Sequence, residues 1–173
     1  MKNLNLARDR GARRAVAGGL RLAVLAAACC AGALAQCPSG GLAVVVNKAN
    51  ATEALSTAQL RRLVLGDLRS WPDKKPVSIV VPDQRSDAFK CLLSSVVRMS
   101  DSEYHRYVAN IEFRGEDAVE LHAAGSGAAA AKMVAGTAGA IAIVEAAAVP
   151  AITQSVRVLR INGKQPGEPG YPL

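Results

Sequence analysis

Three places in the chain carry side chains able to do chemistry. In "PDQRSDAF" (82–89), Ser86 stands where a helix would begin and Arg85 precedes it. Unpaired N–H groups and the positive end of a helix dipole attract an oxyanion, and a guanidinium can grip two of its oxygens. The plain alternative is that Ser86 is only a cap and Arg85 pairs on the surface with Asp83 or Asp87. In "AGSGA" (124–128), Gly125 and Gly127 let a backbone approach a ligand closely and Ser126 opens a helix; the alternative is an ordinary glycine turn with a serine cap. Ala124 and Ala128 replace the glycines of a Gly-x-Ser-x-Gly nucleophile elbow. Asn47 ends an apolar run, where open α/β sheets bind ligands, although its amide would serve equally to cap the loop.

Catalytic and metal chemistry find little support. His105 and His122 are separated, His105 on a helix facing solvent and His122 in a loop, and with the cysteines they show no metal-ligand spacing. Cys91 falls beside the buried stripe of a helix rather than at a reactive site. No enzyme activity, cofactor or metal is expected.

These groups must be positioned by a folded region that starts late in the chain. The full sequence has 173 residues and a formal charge of +7. Its first 35 residues have a basic leader (Lys2, Arg8, Arg10, Arg13, Arg14, Arg21), an apolar run from Leu22 to Leu34, and Ala33-Leu34-Ala35 as an A-x-A site. This is the pattern of a secretory signal cleaved between Ala35 and Gln36. A run of 13 residues is too short for a bilayer helix, which needs roughly 20. Arg13-Arg14 lacks the usual surroundings of a twin-arginine signal, and Gln36 before Cys37 argues against a lipid anchor. Cleavage removes six basic residues and one acid, so +7 falls to +2. The nucleic-acid reading loses its support with them, since no basic stripe with interleaved aromatics remains. The expected product is a periplasmic or secreted protein without a stable membrane span. Its 138 residues (173 less 35) suffice for one domain. Cys29 and Cys30 leave with the signal, so Cys37 and Cys91 are the only intrachain pair, either bridged or as two separate thiols.

Leu42–Val46 and Ala140–Val144 are continuous apolar runs and Val77–Val81 is one broken only by Ser78, the mark of strands buried on both faces and hence of helices on both sides of a parallel sheet. Between them lie amphipathic helices. Ser56 with Gln59 and Ser100 with Glu103 are capping boxes. Phe89, Leu92, Leu93, Val96 and Val97 follow the i, i+3, i+4, i+7, i+8 spacing of one buried helix face. A further helix runs from Ser126 to Val134. Val156–Ile161, with Arg157 and Arg160, reads as an edge strand. The segment 162–173, rich in proline and glycine, reads as a flexible C-terminal tail, leaving 36–161 as the domain. The single tryptophan, Trp71, sits in a polar turn, either as a lid over Leu63, Val64 and Leu68 or beside a ligand.

The order β, α, β, α, α, α, β and four stretches, "LAVVVNKAN", "LSTAQLRRLVLGDLRSWPDKKPVSIVV", "AFKCLLSSVVRMSDSEYHRYVANIEFRG" and "GAIAIV", resemble the phosphate ABC transporter substrate-binding family over residues 42–145. The resemblance implies the mostly parallel, helix-sandwiched sheet of one lobe of a periplasmic-binding-protein-like fold, with Trp71 closing a helix-to-strand loop. It also implies recognition of a small oxyanion such as phosphate, with an ABC permease or sensor protein as partner. The alternative on the same fold is a ligand-free envelope interaction or sensor module. Three departures stand out. Family members have about twice this mature length. Their Ser-Gly-Thr motif is absent, with Arg85 and Ser86 its nearest substitutes. Their late Gly-Tyr is Ala142-Ile143.

Overall fold

The computed structural model describes residues 37–114 and 120–173. The expected signal segment and its cleavage site at Ala35-Gln36 lie outside the described residues.

β1 (Leu42–Asn47), β3 (Ser78–Pro82) and β5 (Ala140–Glu145) are the three apolar runs, joined by β4 (Leu121–Ala124) and β6 (Val156–Val158) in a five-stranded sheet of order β4-β3-β5-β1-β6. β3 pairs parallel with both β4 and β5, while β1 pairs antiparallel with both β5 and β6. Four strands thus run in one direction and β1 alone is reversed. The sheet is mostly parallel, but a central strand opposes it. β2 (Ala54–Leu55) and β7 (Arg160–Ile161) form a separate small parallel ladder. The expected last strand is therefore split at Leu159, which is fully buried and donates its N–H to Val44 O at 2.8 Å.

Alternation along β1 feeds two cores, as the period of two requires. Val44 and Val46 face a cluster with Leu60, Leu63, Phe89, Leu92 and Trp71. Ala43 and Val45 face a cluster with Ala130, Ala131 and Val134. The second face is lined with small residues, Ala43, Ala140 and Ala142, which allows an alanine-rich helix to pack close.

That helix is α4 (Gly127–Gly136). On the other face lie α1 (Thr57–Val64), α2 (Asp87–Leu92) and α3 (Asp101–Phe113). Both capping boxes form, Ser56 with Gln59 and Ser100 with Glu103. The stripe from Phe89 to Val97 is buried throughout, yet it is not one α-helix: Leu93–Val97 widens into a π turn that ends at Arg98 in the left-handed region (φ 59°). Ser94 and Ser95 hydroxyls donate to Cys91 O at 3.0 and 2.7 Å, competing with the regular helical ladder there. Tyr104 of α3 meets Phe89 edge-on, with ring centroids 5.8 Å apart.

Trp71 is a structural lid. It is 5% exposed in the first cluster, and its indole Nε1–H donates to Gly139 O at 2.8 Å, joining the approach to β3 to the start of β5. Gly139 is required there, because a Cβ would lie 2.0 Å from Pro76 O. Cys37 and Cys91 are joined in a disulfide across 54 positions, tying the segment before β1 to α2. The segment 162–173, expected as a flexible tail, folds back so that Tyr171 and Leu173 pack on the first cluster; its two apolar side chains give it a reason to return that glycine and proline counts conceal.

Candidate functional site

Because β3, β4 and β5 are parallel neighbours, their carboxyl ends open onto one place. After Pro82 the chain turns on Asp83, whose Oδ1 accepts the Arg85 N–H at 2.8 Å and whose carbonyl accepts the Ser86 N–H at 2.9 Å. The Ser86 hydroxyl donates to that carbonyl at 2.6 Å and accepts the Phe89 N–H at 3.1 Å, which caps α2. After β4, Ser126 accepts the Ala129 N–H at 3.2 Å and caps α4. After β5, residues 146–148 form a tight turn. Gly127 makes the junction possible, since a Cβ on it would lie 2.5 Å from the Ala148 Cβ.

The three strand ends enclose a cleft of about 280 Å³, lined by Asp83, Ser86, Gly125, Ser126, Gly127, Glu145 and Ala148, among others. Four of the predicted site residues, Ser86, Gly125, Ser126 and Gly127, come together here from two separate parts of the sequence. With each serine serving the third N–H of its helix, the N–H groups of Asp87, Ala88, Gly127 and Ala128 have no intrahelical acceptor and stand at the positive ends of two helix starts. This arrangement can donate several hydrogen bonds to one oxygen-rich ligand. Asp83 and Glu145 bring two acidic residues to the lining of the same cleft.

Arg85 lies next to the cleft but is not part of its lining. Neither expected ion pair forms: Asp83 receives the Arg85 backbone N–H, and Asp87 pairs with Lys90 at 3.3 Å. Among the described residues the exposed Arg85 guanidinium has no carboxylate partner.

The placement of Asn47 beside a ligand is corrected by the reversed β1. Its carboxyl end is at the opposite end of the sheet from the cleft, and Asn47 Nδ2 donates to Val134 O and Ala135 O at 2.8 and 3.0 Å. Asn47 is a cap for the C-terminal end of α4. His122 is also corrected, from loop to edge strand: it lies in β4, where its imidazole stands 3.7 Å from Glu120. The disulfide leaves Cys91 no free thiol for a nucleophile. Among the described residues no three His, Cys, Asp or Glu side chains stand together as a metal site, and no helix is long and apolar enough to cross a membrane. Sequence reasoning missed Asp83 and Glu145 as cleft residues. Asp83 had a usable signal, an aspartate three residues before a serine cap; Glu145 had only its place as the first polar residue after a buried strand.

No protein-family model matches the chain, and no curated protein sequence does. Solved structures do. An ABC-type phosphate transport receptor from Vibrio cholerae superposes with a TM-score of 0.54 at 19% identity, covering 73% of this chain and 48% of its own. PstS from Borrelia burgdorferi gives 0.59 at 10% identity, with 72% and 48% covered. A putative phosphate ABC transporter substrate-binding protein with bound phosphate, from Clostridium perfringens, gives 0.54 at 18% identity, with 73% and 46% covered. The chain spans less than half the length of each of these proteins, and over that half it has their fold.

Proposed function

We propose that the cleft recognises a small oxyanion, phosphate first, and that the chain serves as an exported solute-binding-like protein working with an ABC permease or a sensor. The observation that carries this reading is the convergence of two serine-capped helix starts, Ser86 and Ser126, on one cavity at the carboxyl ends of three parallel strands. The fold shared with phosphate receptors supports it. Ser86, Ser126 and the backbone of Gly125 and Gly127 are the proposed contacts, with Arg85 turning in from the rim when the ligand arrives. Asp83 and Glu145 refine the choice of anion. A carboxylate repels a fully ionised oxyanion but accepts a hydrogen bond from one that keeps a proton, as phosphate does near neutral pH and sulfate does not. The same carboxylates favour the second reading, a ligand-free envelope or sensor module, should the cleft reject anions altogether. Isothermal titration at neutral pH separates the two. Saturable heat with phosphate and none with sulfate is expected; no heat and no thermal stabilisation at millimolar phosphate would leave the second reading.

A further inference from the structure

The sequence holds one Asn-Gly pair, Asn162-Gly163, and the fold builds a two-residue hairpin turn on it. Both residues lie in the left-handed region, with φ 51° and 78°, and Ile161 and Lys164 exchange backbone hydrogen bonds across them at 2.8 and 3.0 Å. Asn before Gly is the pair that such a turn favours. It is also the pair most open to one reaction of the chain on itself, because glycine has no side chain to shield its amide nitrogen from the asparagine before it.

Asn162 is exposed, but its side chain is engaged. Its Oδ1 accepts the Thr57 N–H and its Nδ2 donates to Thr57 Oγ1, each at 3.0 Å, and its own N–H donates to Leu55 O at 2.9 Å. The bond from the Thr57 N–H fixes which amide atom is the oxygen. The residue therefore joins the hairpin to the first turn of α1 and to β2. Two restraints act on it. The amide is held on Thr57, and a left-handed Asn162 turns the Gly163 nitrogen away from its own side chain.

We propose that Asn162 is a deamidation site gated by the opening of its corner with Thr57. Once the side chain is free, the Gly163 nitrogen bonds to Asn162 Cγ and gives up its proton, the Cγ–Nδ2 bond breaks, and ammonia leaves with that proton. Water then opens the resulting succinimide at one of its two carbonyls. Opening at Cγ gives aspartate, whose carboxylate still accepts the Thr57 N–H and suits the positive start of α1. Opening at the main-chain carbonyl gives isoaspartate, which adds a methylene to the backbone inside the turn. The Ile161–Lys164 pair no longer fits the longer turn, so the segment that carries Tyr171 and Leu173 onto the first cluster loses its fixed start.

The test is incubation of the folded protein, and of the protein in urea, in mildly alkaline buffer, with the peptide carrying Asn162 followed by mass spectrometry. Conversion in urea is expected, and conversion at least about tenfold slower in the folded protein, where the corner must first open. Thr57→Ala removes the hydroxyl that holds Nδ2; it should speed the folded reaction about two- to tenfold and leave the rate in urea unchanged, while Thr57→Ser should keep the wild-type rate. Trypsin should cut after Lys164 faster in the isoaspartate fraction than in unmodified protein. Should Thr57→Ala fail to fold, by Trp71 fluorescence, the wild-type comparison between buffer and urea still decides. No conversion in urea, equal rates folded and unfolded, an unchanged folded rate in Thr57→Ala, or equal trypsin cutting of the isoaspartate fraction would each overturn the proposal.

Discussion

The Cys37–Cys91 disulfide offers the prediction whose size can be worked most directly. It joins two residues 54 positions apart, and the entropy removed from the unfolded chain by closing a loop of that length corresponds to about 4 kcal/mol. Set against the 5–15 kcal/mol that holds a typical domain together, that is a large share, equivalent to about a thousandfold in the folding equilibrium. Cys37 is the side to change. It is exposed, whereas Cys91 is fully buried against the first core cluster, so Cys37→Ser opens the loop without disturbing packing. The assay is equilibrium urea unfolding followed by tryptophan fluorescence, because Trp71 is the single tryptophan and leaves a buried site on unfolding. The oxidised protein should exceed Cys37→Ser by about 4 kcal/mol, and the variant should show a slightly larger urea dependence because its unfolded chain expands further. Reduced wild type should coincide with the variant. A difference below about 1 kcal/mol between the oxidised protein and Cys37→Ser would refute the loop-closure reasoning.

Other perturbations probe the tryptophan lid, the cleft and a helix cap. Trp71→Phe keeps a ring in the lid but removes one of two donors to Gly139 O, which still accepts the Ser78 N–H, and should cost about 0.5–1.5 kcal/mol in urea unfolding followed by far-UV circular dichroism, the variant having no tryptophan to report; a cost near zero would mean that the indole N–H is not part of the lid. Gly127→Ala should destabilise by about 1–3 kcal/mol through its collision with Ala148, and Ala148→Gly in the same chain should recover most of the loss. Simple additivity of the two would argue against contact between the α4 start and the 146–148 turn. The Glu103 carboxyl, held below its ordinary value of 4.5 by the Ser100 backbone N–H and then the Ser100 hydroxyl, binds protons more weakly folded than unfolded. Its contribution is therefore complete above pH 4.5 and is lost as pH falls through the lowered value, so the stability gap between wild type and Glu103→Ala should close under acid. A gap independent of pH would show that the carboxylate is not the capping species.

Much of this architecture could be read from residue order. The runs at 42–46 and 140–144 are apolar at every position and 77–81 at all but Ser78, and they became β1, β3 and β5 because strands covered on both sides carry that pattern. Ser56, Ser86, Ser100 and Ser126 all cap helices, since a hydroxyl just before an apolar periodicity has a local role that tertiary packing need not supply. Direction was not legible. An apolar run records that both faces are buried but not which way the chain travels, so the reversal of β1 carried Asn47 from an expected ligand site to a helix cap. β4 was missed because "LHAA" is too short and too polar to stand out, and its pairing is made by β3 rather than by its own side chains. The cleft was half legible: its two serine caps have local signatures, whereas the carboxylates Asp83 and Glu145 become neighbours only through the parallel register of β3 and β5.

The central claim is that the two helix starts at Ser86 and Ser126 act on one guest. The most direct measurement is a map of backbone amide resonances during phosphate titration, with sulfate as control. Saturable shifts centred on Asp87, Ala88, Gly127 and Ala128, moving together with phosphate and absent with sulfate, are the result expected. Shifts confined to exposed lysines, or no shift at these four amides, would contradict it.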